Sequence, residues 1–151
     1  MNKFLIVILG PTGVGKSDLS IEIALHFKAD IISADSRQFY REMKIGTAVP
    51  PEYQLMRVRH HFTRSLSVKD YFSASLFERA VLELLPELFL KNKVVVMTGG
   101  SGMYIDAVCE GIDDIPDTDP SAREKYNEKF KREGIESLRA DLKLLDPDYY
   151  R

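Results

Sequence analysis

The first strong pattern along the chain is an unbroken apolar run, Phe4-Leu5-Ile6-Val7-Ile8-Leu9. A continuous run of this kind predicts a strand covered on both faces, as in a parallel sheet, rather than one with an alternating wet face. Residues 10–15 form a glycine-containing loop, and from Lys16 the spacing changes. Leu19, Ile23 and Phe27 recur at helical spacing with Ala24 beside them, which predicts a helix. Ala29-Asp30-Ile31-Ile32-Ser33-Ala34 reads as a second short strand ending at Asp35. Periodicity is weak from Ser36 to Pro51, so an ordered loop with a short helix around Arg37 to Met43 is expected.

The region holding His60 and His61 carries no clear period. A helix is expected from near Ser75, because Ser75 and Glu78 have capping-box spacing. Its apolar face is read as Leu76, Ala80, Leu84 and Leu88, widened by Phe77 and Val81. Val94-Val95-Val96-Met97 is a third buried-type strand, and Thr98-Gly99-Gly100-Ser101-Gly102 turns it into a helix from about Met103 to Cys109. Strands alternating with helices across glycine turns predict an α/β fold: a parallel sheet flanked by helices, with ligands at the strands' C-terminal ends. The pattern shifts after Gly111. Residues 113–120 read as a turn-rich linker, Ser121 opens a charged helix that stops at Gly134, and a second helix runs from about Ile135 to Leu145. Mixed charges on these helices read as a solvated face. Two domains are therefore expected: an α/β core over 1–116 and the start of a helical domain over 117–151.

Composition narrows the class. Hydrophobic residues make up 44% and charged residues 29% of 151, enough for a real core and unlike disordered or collagen-like chains. One cysteine, Cys109, excludes an internal disulfide and fits a reducing compartment, and its neighbours suggest a buried small hydrophobe. Phe4–Leu9 is far short of the ~20 apolar residues of a membrane span, and it lacks the layout of a cleavable signal. A soluble cytoplasmic protein with no membrane contact is expected. The formal charge of −2 announces no nucleic-acid binder, which commonly carries a basic excess.

The chemistry-bearing motif is Gly10-Pro11-Thr12-Gly13-Val14-Gly15-Lys16-Ser17, which fits G-x-x-x-x-G-K-[ST] between a strand and a helix. Glycines let backbone N–H groups surround phosphate oxygens, and the following helix adds its positive end. Lys16 supplies a mobile charge, and the Ser17 hydroxyl is placed to ligate Mg²⁺. The third strand ends in Thr98-Gly99-Gly100 without the carboxylate that many P-loop proteins carry on a neighbouring strand. Asp35, at the end of the second strand, is the available acid. From its position it reads as a helix cap, a general base or a metal-shell ligand.

In order along the chain, the phosphate loop, Asp35-Ser36, Tyr40, Ile45-Gly46-Thr47-Ala48, Gly99-Gly100-Ser101-Gly102-Met103-Tyr104, and Asp119-Pro120 with Arg123 resemble the tRNA dimethylallyltransferases, also known as tRNA isopentenyltransferases. The resemblance is dense from residue 4 to about 123 and thins beyond. It implies a P-loop NTPase-like core and Mg²⁺-dependent transfer of a dimethylallyl group from its diphosphate to N6 of the adenosine just 3′ of a tRNA anticodon. By position, Gly10 to Ser17 would hold the donor's diphosphate, with Ser17 on the metal. Asp35 would take the amine proton, and Asp35, Ser36, Arg37, Gln38, Ser101 and Arg123 would contact the tRNA anticodon stem-loop. A monomer is expected. Two departures stand out: Val49 replaces a lysine frequent in the family, and the family's later Gln-Arg-x-x-Arg motif has no counterpart before Arg151. The chain therefore resembles the N-terminal half of such an enzyme.

Three alternatives stay open: prenylation of free adenine nucleotides, a small P-loop kinase, and a chain that by itself only binds diphosphate. His60-His61 lacks a third ligand nearby and reads as packing and hydrogen bonding rather than a metal pair. His26 reads as a surface residue, and Asp113, Asp114, Asp117 and Asp119 do not have EF-hand spacing.

Overall fold

The computed structural model describes residues 2–113 and 119–151. The chain divides into two compact units, Met1–Ile112 and Asp113–Arg151. The first contains β1 (Phe4–Leu9), α1 (Lys16–Phe27), β2 (Ile31–Ser33), α2 (Glu52–Leu55), β3 (His60–His61), α3 (Ala74–Lys91), β4 (Val94–Gly99) and α4 (Gly102–Glu110). Its four strands form one parallel sheet in the order β1-β4-β2-β3. The α/β class expected from the alternating pattern is the one observed.

Burial of the strands follows their place in that order. β4 and β2 are central, and Val94–Met97 and Ile31–Ser33 are buried. β1 lies at an edge, and Phe4, Val7 and Leu9 are exposed, so its apolar run is not covered on both faces as expected. A periodicity argument cannot tell a central strand from an edge strand. Successive side chains point to opposite faces, giving two cores. Ile31, Val94 and Val96 pack with Ile21 and Ala24 of α1. Ile32, Val95 and Met97 pack with Phe77, Val81 and Leu88 of α3, Ile105 of α4 and Phe39. Phe39 and Phe77 are both fully buried, their rings 5.3 Å apart and stacked. Burying a large apolar side chain is worth roughly 1.5–3 kcal/mol, so this pair anchors the loop after β2 to α3.

Three local expectations change. The cap of α3 is Ser73, whose hydroxyl accepts from Leu76 N at 3.2 Å, so the Ser75–Glu78 box is not used. Its buried stripe is accordingly Phe77, Val81 and Leu88, while Leu76 is exposed. On α1 the buried face is Ser20, Ile21 and Ala24, and Leu19 and Phe27 point outward. No helix forms over Arg37 to Met43. Instead the segment makes turns, with Met43 N donating to Tyr40 O at 3.3 Å, and bonds to a distant residue, Leu66 N donating to Phe39 O and Arg41 N to Leu66 O, both at 2.9 Å. His60 and His61 form β3.

The second unit consists of α5 (Pro120–Glu133) and α6 (Ile135–Leu145), joined at Gly134, whose φ of 75° suits glycine. Lys129 pairs with Asp141 across the two helices. The expected linker over 113–120 lies largely outside the described residues, as do Asp114 and Asp117.

Candidate functional site: a phosphate-loop cleft

All four strands are parallel, so their C-terminal ends share one edge of the sheet, and the phosphate loop follows the first of them. Gly13 and Gly15 take φ of 87° and 89°, left-handed backbone that glycine adopts without strain. Gly15 is also the N-cap of α1, which aims the positive end of that helix at the loop. Thr12, Gly13, Gly15, Lys16 and Ser17 line a cavity of ≈ 210 Å³ together with Asp35 and Gln38. Loop and acid, 18 or more positions apart in sequence, thus meet in one cleft.

Several polar groups of the cleft have defined partners. Lys16 Nζ donates to Pro11 O at 2.6 Å, folding the ammonium back over its own loop. Asp35 Oδ1 accepts from Arg37 N at 3.1 Å, and Asp35 Oδ2 lies 3.4 Å from Gln38 Nε2. The acid is half-buried and held from two sides. Ser101 stands at the start of α4, where its Oγ accepts from Ser36 N at 3.0 Å and donates to Ser36 Oγ at 3.2 Å. These contacts join Asp35-Ser36 to the Gly-Gly-Ser-Gly turn. Gly99 makes this possible, because a β-carbon there would overlap the Ala34 carbonyl. Arg37 is exposed, as are Pro11 and Val14. Arg123 is exposed on α5 in the second unit.

Sequence reasoning missed several lining residues. Ser20 is a buried polar residue of α1, Ser33 and Thr98 lie near the ends of apolar strands, His60 comes from β3, and Ala48 and Pro50 come from the long loop. The signal was present in Ser33 and Thr98, hydroxyls at the ends of strands whose other residues are apolar. His60 Nδ1 donates to Val58 O at 2.8 Å, which leaves Nε2 as the lone-pair nitrogen. Burial holds the His60 imidazole below its usual pKa, so the ring is neutral at pH 7. His61 Nε2 donates to Asp30 Oδ2 at 2.8 Å. Both histidines therefore serve packing and hydrogen bonding.

Among the described residues no group of three or more His, Cys, Asp or Glu side chains converges on a point. The cleft instead offers the Ser17 hydroxyl at the start of α1, beside other hydroxyl residues, with the Asp35 and Asp18 carboxylates on the same cavity. That donor set fits a Mg²⁺ ion taking its remaining ligands from phosphate oxygens and water, the usual arrangement for this ion. Cys109 is exposed rather than buried, and its thiol is pushed above its usual pKa by desolvation, then by Asp106 and Glu110, which makes it a poor nucleophile. No helix among the described residues is long and apolar enough to cross a membrane.

A parallel sheet whose first strand runs into a glycine loop and helix, with the loop opening on a polar cleft, defines a P-loop-type phosphate-binding α/β domain. Comparison with known proteins narrows this class. The IPP transferase family profile matches residues 38–151, and the chain belongs to that family. It is 54% identical over 149 residues to tRNA dimethylallyltransferase 1 of Bacteroides fragilis, covering 99% of this chain and 50% of that protein. With tRNA dimethylallyltransferase 2 of Porphyromonas gingivalis it shares 57% identity over 146 residues, covering 97% of this chain and 49% of the relative. The crystal structure of the full-length tRNA isopentenylpyrophosphate transferase of Bacillus halodurans superposes with a TM-score of 0.71 at 29% identity, over 99% of this chain and 50% of that one. The crystal structure of tRNA delta(2)-isopentenylpyrophosphate transferase from Staphylococcus epidermidis gives 0.67 at 32% identity, over 99% of this chain and 48% of that one. The chain thus spans about half the length of the curated relatives it matches.

Proposed function

We propose that the chain is the phosphate-loop half of an enzyme that transfers a dimethylallyl group from dimethylallyl diphosphate to N6 of the adenosine 3′-adjacent to the anticodon in tRNA, with release of diphosphate. The observation that carries this reading is the meeting of phosphate loop and Asp35 in one cleft. The names of the relatives support it.

The chemistry needs two functions, and the cleft holds both. The C–O bond of the donor breaks as the N6–C bond forms, so negative charge grows on the departing diphosphate. Backbone N–H groups at Gly13 and Gly15, the end of α1 and the Lys16 ammonium face that charge, provided Lys16 exchanges the Pro11 carbonyl for a phosphate oxygen. Ser17 would hold Mg²⁺, which supplies further neutralisation of the diphosphate when bound. The exocyclic amine must lose a proton as it attacks, and Asp35 is the acceptor, with its carboxylate aimed by Arg37 N and Gln38 Nε2. An adenine reaches such a cleft only out of its stack, so backbone contacts must hold the RNA while the base is extruded. Arg37 and Arg123, both exposed, are the cations assigned to that task, with Ser36, Gln38 and Ser101 beside the acid. The same reading places the protein in the cytoplasm as a monomer.

The test compares the 151-residue chain with a form extended past Arg151 to the length of the relatives. Each is incubated with dimethylallyl diphosphate, Mg²⁺ and unmodified tRNA, and the digested nucleosides are weighed by mass spectrometry. Prenylated adenosine from the extended form is expected. Its absence, with ATP-dependent phosphorylation of a small molecule instead, would overturn the reading. Modification of free adenine nucleotides but not of tRNA would replace the acceptor.

A further inference from the structure

The long loop between β2 and β3 meets the body of the protein through little apolar contact. Within residues 44–57 only Thr47, Pro50 and Gln54 are buried, and Ile45, Tyr53 and Met56 face solvent. Helix α2 lies in this stretch, and four residues do not sustain a helix by themselves. Pro51 at its N-cap supplies no side-chain bond, and Gln54 is its one buried residue. A polar side chain buried where an apolar one would pack as well points to its hydrogen bond as the reason.

That bond goes to Asp18, 36 positions away in the chain. Gln54 Nε2 donates to Asp18 Oδ1 at 2.7 Å, and because a carboxylate only accepts, the nitrogen end of the amide is the one facing it. Asp18 lies in the first turn of α1, where its charge also meets the positive end of that helix. A second link, Arg64 Nη1 donating to Glu52 Oε2 at 3.2 Å, is weakened by solvent, since the Glu52 side chain is 76% exposed. The Gln54–Asp18 bond is therefore the main fastening between this loop and the helix that follows the phosphate loop.

What it fastens is the apolar wall of the cleft. The residues lining the cavity are glycine, polar or charged, save Ala48 and Pro50. Ala48 has φ of 48°, a left-handed conformation that a residue with a β-carbon keeps only where its surroundings enforce it. A ligand with a diphosphate head and a hydrocarbon tail sets its head on the phosphate loop, and Ala48 and Pro50 are where this chain offers the tail a dry surface.

We propose that Gln54 is a positioning residue for the donor. Through Asp18 it sets the distance between the Ala48–Pro50 wall and the phosphate loop, so that the tail is gripped while the diphosphate is held. Gln54 touches no ligand in this role and acts only through the wall. The inference rests on the prenyl-transfer reading for the identity of the tail, and on this chain alone for the fastening.

Two experiments test it. The first is amide hydrogen exchange of the 151-residue chain, read by mass spectrometry. In Gln54→Ala, peptides covering 44–58 are expected to exchange at least about fivefold faster, with peptides from α3 and β4 unchanged. Asp18→Ala should reproduce this from an exposed position, which keeps the proposal open to test if Gln54→Ala does not fold. Asp18→Asn retains an accepting oxygen and should stay within about twofold of the wild type. The second experiment is calorimetric titration of the form extended past Arg151, with Mg²⁺ and either dimethylallyl diphosphate or inorganic diphosphate. Gln54→Ala should weaken the first ligand at least about fivefold and the second less than about twofold. Unchanged exchange over 44–58 overturns the proposal, as does Asp18→Asn exchanging like Asp18→Ala, or an equal loss for both ligands. Faster exchange in a chain whose extended wild-type form transfers no prenyl group keeps the fastening and removes the prenyl-transfer reading instead.

Discussion

Gly99 and Lys16 act on the cleft in opposite ways, one by having no side chain and the other by having a long one. A β-carbon at Gly99 would collide with the Ala34 carbonyl, and backbone cannot step aside as a flexible side chain can. Gly99→Ala should therefore cost about 1–3 kcal/mol, read as a lower urea midpoint at unchanged slope. Lys16→Ala removes the one mobile cation of the loop, and calorimetric titration with dimethylallyl diphosphate should show donor affinity falling tenfold or more. Asp35→Ala should abolish transfer while donor affinity changes only severalfold. A loss of affinity matching Lys16→Ala would assign Asp35 to the metal. His60 gives a pH dependence. Its folded pKa is depressed below the ordinary imidazole value of 6.5, mainly by burial, so the unfolded chain binds the proton more readily. Stability is then full above pH 6.5 and declines as pH falls through the folded pKa. Urea midpoints at pH 7.5 and 5.5 should differ by less in His60→Gln than in the wild type.

At the scale of elements, helix ends and helix faces are where short-range pattern and three-dimensional packing part company. Ser73 and Ser75 are equally good caps on residue type, and only Ser73 accepts a backbone N–H, from Leu76. Ser73→Ala should thus cost about 1 kcal/mol, and Ser75→Ala within about 0.5 kcal/mol of nothing, by thermal or chemical denaturation. The apolar stripe of α3 is likewise turned by one position from the Leu76-centred face. Phe77 is fully buried against Phe39 and Phe62, so Phe77→Ala should cost roughly 3–5 kcal/mol and Leu76→Ala far less. In α1 the buried residues are Ser20, Ile21 and Ala24, and the small Ser20 and Ala24 let the helix lie close on the sheet beneath the phosphate loop. A hydrophobicity count favours the larger Leu19 and Phe27, which face solvent.

The whole chain is unequal in its parts. Unit 1–112 has two cores of buried residues, whereas α6 buries none of its residues and Tyr126, Phe130, Ile135 and Leu142 of the second unit are exposed. A helical hairpin without a core has little beyond local propensity to hold it, and short isolated helices are marginal in water. An isolated 113–151 peptide should therefore show weak, noncooperative helicity by circular dichroism, while 1–112 should unfold cooperatively. The net charge of −2 carries no information about this division or about the partner.

The phosphate loop, its strand–loop–helix setting and the α/β class were all legible in the sequence, because each depends on neighbours within a few residues. Gly13 and Gly15 mark left-handed turns, and the period of the apolar residues changes where the element changes. Tertiary structure alone decided that β1 lies at an edge, that Asp35 meets Lys16 in one cleft, and that residues 37–43 pair with Leu66 instead of coiling. It alone placed the Gln38 amide between Asp35 and the carbonyls of Thr47 and Ala48. Apart from the short step between Asp35 and Gln38, these contacts join residues 10 to 90 positions apart, and no local pattern records which distant partner a strand edge, a carboxylate or an amide will find.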